Sequence, residues 1–555
     1  MPSLRSLLAP SDRGCITILF ALGLATRFIA LNYPREVVWD EYHFGKFVNG
    51  YLTGEYFFDI HPPFGKLVLA FGAWIGGYKG EQGWLKIGEP IPASVNLFAL
   101  RAVPALQGAL LPLLLFVAGR CLGFSRPAAL LAPAGALFDI VCLVEQRLVL
   151  VDATLLIGIA LQLTAGFASD YHASLSGGWL RRVALEGAGI AIAGCTKMTG
   201  FATLAVAGVH SLLCLHRGHT RGAKLTPLIK EAAARAVLLL VVPALFYVLN
   251  SAVHLWLLPL TGPGAKFHNA AFRSTLKGDA AAISGITNAA AVAAAANVPG
   301  LWARIVEMNK EMVKVNAAIK KGHTWGSRWW EWPLARRSIL YWTGHEPPYI
   351  SPSIGLDRAR IYAIGNPAVW WLAALAPTIF VAWAMSRWLG PGFSPAPKRA
   401  SGKGEAAAKA ESAATDAASG PGPFGRWTNG CLLMVGYLCN WLPFMLVDRV
   451  AFLYHFLPSL LHALLLAGLL VDLAVAPTAL LAMREADDPR LADCVEPSVG
   501  TSADGARHPE GKRWLVVGVV VYLFATCFAF FAPLAYGAPL SVHNFEARMW
   551  LPSWH

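Results

Sequence analysis

Charged residues are scarce in this sequence, and its cysteines follow no pattern. Asp, Glu, Lys and Arg make up 14% of the 555 residues, whereas hydrophobic residues make up 56%. A soluble protein of this length could not bury so much apolar surface, so the composition excludes a soluble globular enzyme and indicates a membrane protein. The nine cysteines form no C-x-x-C pair and no spacing typical of a metal site, and we expect them to be small apolar packing residues.

Long apolar runs, in contrast, are abundant. Eleven stretches approach the length of about 20 residues that a membrane helix needs. They are 14–33, 97–118, 127–144, 148–168, 184–200, 201–215, 236–258, 367–386, 428–447, 452–475 and 513–533. The first lacks a small-residue cleavage site, which indicates a retained anchor rather than a removed signal peptide. The sequence therefore predicts an all-α, polytopic membrane protein of about eleven transmembrane helices.

The basic residues indicate how these helices are oriented. Short loops rich in Lys and Arg mark the cytoplasmic face, and such loops contain Arg120, Arg181 and the segment 216–235. They all fall on one side if eleven helices alternate from a cytoplasmic N-terminus. The opposite side then receives 34–96, 259–366 and the C-terminal tail. The net charge of +13 is thus a topology signal and does not predict nucleic-acid binding.

Two large non-cytoplasmic loops divide the predicted chain into three parts. The first part, 1–258, is a membrane core that contains the loop 34–96. The second part is the long loop 259–366. The third part, 367–555, has four helices and two polar cytoplasmic segments, which are 387–426 and 476–512. The low-complexity stretch 396–422 is predicted to be disordered.

Ionisable side chains gather on the non-cytoplasmic side. They are Asp40, Glu41, Asp59, His61, Arg101, Glu145, Arg147, Asp152, Lys197, Arg449 and His455. Such groups cost roughly 2.5–3.5 kcal/mol each within a membrane and are functional candidates. A carboxylate can take a proton from an acceptor hydroxyl, and Arg or Lys can stabilise charge on a departing phosphate. The set therefore suits an enzyme with a lipid-linked sugar phosphate as donor, in which one carboxylate has a direct catalytic role.

Two motifs connect this pattern with a known family. The segment Trp39–Lys46 (WDEYHFGK) together with Phe57–Lys66 (FFDIHPPFGK) resembles the first lumenal loop of the protein O-mannosyltransferases, which are dolichyl-phosphate-mannose enzymes of the GT-C class. Further matches follow in the order of the family's motifs, at 146–152, 194–197, 261–278, 326–333, 364–371 and 440–458. The resemblance implies a GT-C membrane fold. It also implies that the chain lacks the MIR domain of most eukaryotic members, because 279–322 is too short to hold one.

The resemblance assigns roles to individual residues. Asp40 would activate the acceptor hydroxyl, with Glu41 beside it shaping the donor and acceptor sites. Two arginines match family arginines thought important for activity, and these are Arg27 and Arg101. The candidates for contact with the dolichyl phosphate are Lys197, Arg147 and Arg449. The residues expected to organise the loop over the acceptor peptide are Asp59 and His61. Nothing in the sequence demands a metal or another cofactor.

Several of these residues also have a structural alternative, which the sequence leaves open. Arg27 would satisfy an intramembrane charge, Arg101 and Lys197 would anchor helices at the interface, and Arg147 would pair with Asp152. Because Arg449 and His455 are six residues apart, they do not share one helix face well, and at least one of them is expected to be structural.

The function implied is inverting transfer of mannose from dolichyl phosphate mannose to Ser or Thr of secretory proteins. The expected location is the endoplasmic reticulum membrane with a lumenal active site, and the expected assembly is a homodimer or a heterodimer with a paralogue. A bacterial plasma membrane and a polyprenyl donor are the alternative. Other hypotheses are a GT-C transferase with a lipid or glycan acceptor, a transporter, and an inactive partner subunit. The absence of inverted repeats disfavours a transporter, and the intact Asp40 and Glu41 disfavour an inactive subunit.

Overall fold

A computed structural model describes residues 10–278, 298–319, 322–344, 351, 355–356, 358–389, 424–475 and 503–555. The predicted low-complexity stretch 396–422 lies outside these residues, as does most of 476–512. The described residues are mainly helical, as the apolar runs predict.

The N-terminal half supplies most of the helices around the site. They are α1 (Pro10–Phe28), α2 (Glu41–Thr53), α3 (Phe64–Ile75), α4 (Leu97–Cys121), α5 (Arg126–Ala129), α6 (Leu131–Phe138), α7 (Ile140–Glu145), α8 (Asp152–Ser169), α9 (Gly177–Gly194), α10 (Ala202–Thr220), α11 (Leu225–Ala236) and α12 (Val242–Leu257). A π-helical stretch, Val237–Val241, joins the last two, so that 225–257 forms one long helix.

The C-terminal half continues with shorter loop elements and then long helices. These are α13 (Ala270–Arg273), α14 (Leu301–Ala318), β1 (Ile339–Gly344), β2 (Arg358–Ala363), α15 (Pro367–Leu389), α16 (Arg426–Trp441), α17 (Leu457–Val475), α18 (Ala503–Tyr536), β3 (Pro539–Leu540) and α19 (Val542–Glu546). The three strands form an antiparallel sheet in the order β1-β2-β3, which joins the C-terminal tail to the long loop. The hydropathy pattern does not predict this small sheet.

Among the described residues, eight helices are long and apolar enough to cross a membrane. They are 97–121, 152–169, 198–220, 225–257, 367–386, 426–446, 453–475 and 510–536, and each coincides with a predicted segment. Helices α1 and α9 also lie at predicted segments. They are not among the eight, and each contains three charged residues, in 19 and 18 positions respectively. The chain is thus a multi-pass membrane protein, and the count of eleven spans stays a prediction.

The predicted helix 127–144 is wrong as a single helix, because the structure divides it into α5, α6 and α7. The break before α7 lies at Asp139, whose backbone is extended and whose carboxylate caps the helix at the Cys142 N–H, 2.9 Å away. The same carboxylate accepts hydrogen bonds from the Asn366 N–H (3.0 Å) and the Trp370 indole (2.6 Å). A buried aspartate that satisfies donors on a distant helix therefore ends this helix.

Helices α8 and α17 form the centre of the membrane core, because most of their residues are buried. Helix α8 packs against α4 and α9. At a rise of 1.5 Å per residue, the 18 residues of α8 span about 27 Å. Asp152 at its first turn and Asp170 just after its end therefore lie at opposite ends of the core.

Candidate active site

Asp40 lies directly before α2, half-buried, at the end of the core where α8 begins. Within the described part of the chain, its carboxylate makes no hydrogen bond and no ion pair. Burial raises the pKa of Asp40 to about 6, with Lys197 lowering it and Asp152 raising it. A free carboxylate with a pKa near 6 is suited to accept a proton at neutral pH.

Glu41 is the next residue, yet its environment is the opposite. It is fully buried, and both of its carboxylate oxygens are used twice. One oxygen accepts from the Arg101 Nε (2.8 Å) and the Val149 N–H (3.0 Å). The other accepts from the Arg101 Nη2 (2.8 Å) and the Val38 N–H (3.1 Å). Glu41 therefore fixes the backbone around Asp40 and has no oxygen left for a substrate proton.

Arg101, on α4, is also fully buried and uses all five of its N–H donors within the protein. Two donors hold Glu41 in a bidentate pair. The other three reach the backbone carbonyls of Leu31 (3.2 Å), Pro34 (3.1 Å) and Glu36 (3.4 Å). The sequence places Arg101 among the substrate ligands, but no donor remains for a substrate. It is a positioning residue for the segment that leads to Asp40.

Arg27, at the end of α1, likewise uses all five of its N–H donors within the protein. It donates to the Gln146 Oε1 twice (3.1 and 3.0 Å) and to the Thr26 hydroxyl (2.9 Å). Its two remaining donors reach the carbonyls of Ala136 and Leu137, both at 2.8 Å. These carbonyls lie at the end of α6, where the broken helix leaves them without helical partners. Arg27 therefore stabilises that break. No N–H donor of Arg27 remains for a substrate.

Arg147 lies between α7 and α8 and holds the end of α1. It donates to the backbone carbonyls of Arg27 (3.2 Å) and Ile29, and its guanidinium lies 4.3 Å from the centre of the Tyr536 ring. It does not pair with Asp152, the structural alternative that the sequence leaves open. Its contacts are those of a packing residue.

Lys197 and Asp152 form a buried ion pair beside Asp40. The Lys197 ammonium lies 2.8 and 2.7 Å from the two carboxylate oxygens of Asp152 and 5.1 Å from the centre of the Tyr454 ring. Lys197 is 6% exposed and Asp152 5%. A cation that is already paired with a carboxylate thus lies close to the candidate base.

Asp59 and His61 lie in the turn before α3. Lys66 holds this turn, donating to the Asp59 carboxylate (2.5 Å) and to the carbonyls of His61 (2.7 Å) and Pro62 (3.0 Å). Burial raises the pKa of Asp59, but Lys66 and His61 hold it below its ordinary value. Burial also lowers the pKa of His61 to about 3, so that this imidazole is neutral at pH 7. The Asp59 carboxylate and the His61 carbonyl thus share Lys66 as a partner, which the sequence reasoning missed. That these two residues organise the loop over an acceptor stays a prediction.

Arg449 lies on an open cleft of about 870 Å³ near the site. The cleft is lined, among others, by His323, Ser327, Trp329, Asp448 and Arg449. Arg449 donates to the Val450 carbonyl (3.2 Å) and to Asn316. In the described part of the chain its Nη2 makes no hydrogen bond. Among the described residues the Nη1 of Arg147 also makes no hydrogen bond, but Arg147 is buried. Of the predicted arginines, Arg449 is the one that lines this cleft.

A second cleft, of about 740 Å³, lies beside β1 and reaches Trp39, the residue before Asp40. Its lining includes Trp39, Tyr341 and His323, and His323 also lines the first cleft. The Trp39 ring stacks on Tyr341 at 5.0 Å and meets His323 edge to face at 5.4 Å. Tyr341 donates to Glu145. The sequence marked Glu145 only as a polar residue and gave no sign of Tyr341 or His323, because their proximity arises from the long loop.

Two family models match the chain. The model for dolichyl-phosphate-mannose–protein mannosyltransferase matches residues 17–259. The model for the C-terminal four-transmembrane region of protein O-mannosyltransferase matches 301–394 and 419–554. Together they cover most of the chain and contain every predicted site residue.

Curated relatives and a solved structure agree with these models. Dolichyl-phosphate-mannose–protein mannosyltransferase 4 of Candida albicans is 35% identical over 267 residues, which are 47% of this chain and 35% of the relative. Protein O-mannosyl-transferase 1 of Rattus norvegicus is 33% identical over 276 residues, which are 48% of this chain and 37% of the relative. The alignments thus span little more than a third of these relatives.

The fold agrees over a longer range. A chain of the Saccharomyces cerevisiae protein O-mannosyltransferase Pmt1-Pmt2 complex bound to the sugar donor is 18% identical, with a TM-score of 0.78. The match covers 100% of this chain and 94% of that one, which confirms the predicted membrane fold of the GT-C type. The chain belongs to the protein O-mannosyltransferase family.

Proposed function

We propose that this protein transfers mannose from dolichyl phosphate mannose to Ser or Thr hydroxyls of secretory proteins, with inversion at the sugar carbon. Family membership supports the reaction class. The observation that carries the proposal is Asp40, a carboxylate that has no hydrogen-bond or ion-pair partner among the described residues and lies beside the Lys197–Asp152 pair. Of the two adjacent acids, it is the one available for chemistry.

In the proposed reaction Asp40 takes the proton of the acceptor hydroxyl. The hydroxyl oxygen then forms a bond to the anomeric carbon of mannose, and the bond between that carbon and the phosphate oxygen breaks. A positioned base typically contributes about 10²–10⁴ in rate. The dolichyl phosphate leaves as an anion, so no separate general acid is needed, and the proton on Asp40 passes to solvent afterwards.

The phosphate is proposed to lie near Lys197 and Arg449. Lys197 is the cation with the largest effect on the pKa of Asp40. Arg449 lines the neighbouring cleft, and among the described residues its Nη2 makes no hydrogen bond. The acceptor is proposed to enter by the two clefts that meet at His323, because the His323 ring contacts Trp39, the residue before Asp40. We propose that three buried residues position the site without touching substrate, and these are Arg27, Arg101 and Glu41. Asp59 and His61 are proposed to shape the turn beside the site.

The proposal also covers location and assembly. Because the family's donor carries dolichol, the proposed location is the endoplasmic reticulum membrane. Asp40 is proposed to lie on its lumenal side. The Pmt1-Pmt2 complex supports a heterodimer with a paralogue. The division into a membrane core (1–258), a long loop (259–366) and a C-terminal region (367–555) is proposed for this chain as well.

The test is transfer from labelled dolichyl phosphate mannose in purified, detergent-solubilised protein, alone and with a co-expressed paralogue. A Ser/Thr-rich peptide and the endogenous lipids are offered together, and the products are separated into peptide and lipid fractions. The expected product is an α-mannosyl peptide. Label confined to lipid would replace the proposal with the GT-C alternative that acts on a lipid acceptor. Glu81→Gln, which changes an exposed carboxylate of the same loop, should leave transfer unchanged.

A further inference from the structure

Three side chains of metal-binding type meet at the end of the core opposite Asp40. They are Asp170, which follows α8, and His210 and Cys214 on α10. All three are buried, and their candidate ligand atoms lie within 4.8 Å of one another. His210 and Cys214 are four residues apart on one helix, so their side chains share a face. Among the described residues this is the one such group of three.

The distances between the three side chains are those of a coordination tetrahedron. The His210 Nε2 lies 3.2 Å from an Asp170 oxygen and 3.6 Å from the Cys214 Sγ, which is 3.5 Å from the other Asp170 oxygen. Zinc bonds measure about 2.3 Å to sulfur and about 2.0–2.2 Å to nitrogen or oxygen. At tetrahedral angles, those bonds separate the ligand atoms by about 3.3–3.6 Å. Because the two Asp170 contacts use different oxygens, a small rotation of its carboxylate would place one oxygen on the ion, and the observed spacing is close to what one ion requires.

The arrangement does not fit a cysteine nucleophile. In a catalytic triad the two imidazole nitrogens contact different partners, the acid on one side and the nucleophile on the other. Here a single nitrogen, the His210 Nε2, faces both Asp170 and Cys214. Atoms that converge on one point are typical of a metal site, and the Cys, His and carboxylate set is one that zinc prefers.

A further buried acid lies near the three side chains. Glu186 on α9 is fully buried, and one of its carboxylate oxygens has no hydrogen-bond partner among the described residues. Its other oxygen accepts from Gln162 (3.2 Å) and lies against Gly166, one turn before Asp170 on the same face of α8. A buried carboxylate is costly unless a positive charge lies nearby. His210 and Arg235 act on Glu186 in this way, and an ion at the cluster would add to them. Arg217, which bonds Asp170 at 3.2 Å, supports the candidate ligand from outside.

We propose that Asp170, His210 and Cys214 bind one Zn²⁺ ion, with water as the fourth ligand. Binding releases the Cys214 thiol proton to solvent, because the thiolate is the ligand. The ion would fasten the end of α8 to α10 about 27 Å from the chemistry, since α8 runs the full depth of the core. Its role is therefore structural and does not depend on the proposed transferase function.

The test is the metal content of the full-length protein, purified through an affinity tag without histidine. About one zinc per chain is expected in wild type, and at least about a tenfold loss in Cys214→Ser and in His210→Gln. Cys195→Ser, at another buried cysteine, and Asp40→Asn should keep the ion. The second of these controls separates this proposal from the proposed reaction.

A measurement on wild type avoids any variant that fails to fold. Protein stripped of zinc and titrated with Co²⁺ should develop a near-ultraviolet thiolate-to-cobalt charge-transfer band that saturates at one equivalent. The thermal unfolding temperature should rise with the ion and fall with chelator. No cobalt band together with substoichiometric zinc would overturn the proposal. Full zinc content in the Cys214→Ser/His210→Gln double variant would overturn it too, because the ion would then lie elsewhere.

Discussion

Replacing Arg101 with methionine would test whether this arginine positions the site or binds the donor. The change leaves the Glu41 carboxylate buried with its two backbone donors alone, and it frees the carbonyls of Leu31, Pro34 and Glu36. Breaking a buried ion pair by removing one partner typically costs about 3–5 kcal/mol. We expect a loss of that size in the free energy of unfolding.

The assay is unfolding of detergent-solubilised protein, read for Arg101→Met, Glu41→Gln and the double variant. Because the two side chains contact each other directly, the double variant should be less destabilised than the sum of the single changes, by about 0.5–3 kcal/mol. Arg181→Met, at an exposed arginine of α9, is the matched control and should lie within about 0.5 kcal/mol of wild type.

The same variants are assayed for mannose transfer at varied donor concentration. A positioning role predicts a lower turnover number with a smaller change in the KM for the donor. Unchanged stability of Arg101→Met together with a large rise in that KM would refute the reasoning, because Arg101 would then be a donor ligand.

Three further predictions follow from the structure. Because burial raises the pKa of Asp40 to about 6 and the base works only when deprotonated, kcat/KM should be level above that pH and fall as pH drops below it; a plateau that extends to about pH 4 would contradict this. Arg449→Gln should raise the KM for the donor about 10- to 100-fold, by loss of a bond to a charged group, and lower the free energy of unfolding by no more than about 1–3 kcal/mol, through its bonds to Asn316 and the Val450 carbonyl; equal KM values would exclude a phosphate contact. A Cβ at Gly158 would lie 2.6 Å from the Ala193 N and 2.9 Å from the Gly189 carbonyl, so Gly158→Ala should destabilise by about 1–3 kcal/mol, whereas Gly208→Ala, with open space around it, should not.

The membrane architecture was largely predictable, because apolar runs of helix length carry the signal. The positions of α4, α8, α10, α15 and α17 follow from hydropathy alone. The division of 127–144 was not predictable, because it depends on Asp139 finding donors on Asn366 and Trp370, which are distant in sequence. The sheet was missed because its strands are short and belong to a loop.

The sequence singles out the residues of the candidate site, but it does not reveal what each of them contacts. Asp40 and Glu41 are adjacent and chemically alike, yet Glu41 is paired with Arg101, whereas the Asp40 carboxylate has no partner in the part of the chain that the structure describes. Which of the two acids is paired depends on Arg101, sixty residues further along the chain. The positions of the two acids in the sequence do not reveal this. Likewise the His210–Cys214 spacing is visible in the sequence, but Asp170 comes from another helix, and the cluster appears only when α8 and α10 pack together.

The measurement closest to the central claim is mannose transfer to a Ser/Thr-rich peptide by wild type and Asp40→Asn in parallel. Unfolding temperature and donor binding are measured on the same samples to show that the variant is intact. With Asp40 as the base, transfer should fall at least about 10²-fold, the lower end of what a positioned base contributes, while donor binding persists. Transfer by a folded Asp40→Asn variant within about tenfold of wild type would contradict the account, because the proton would then go to another group.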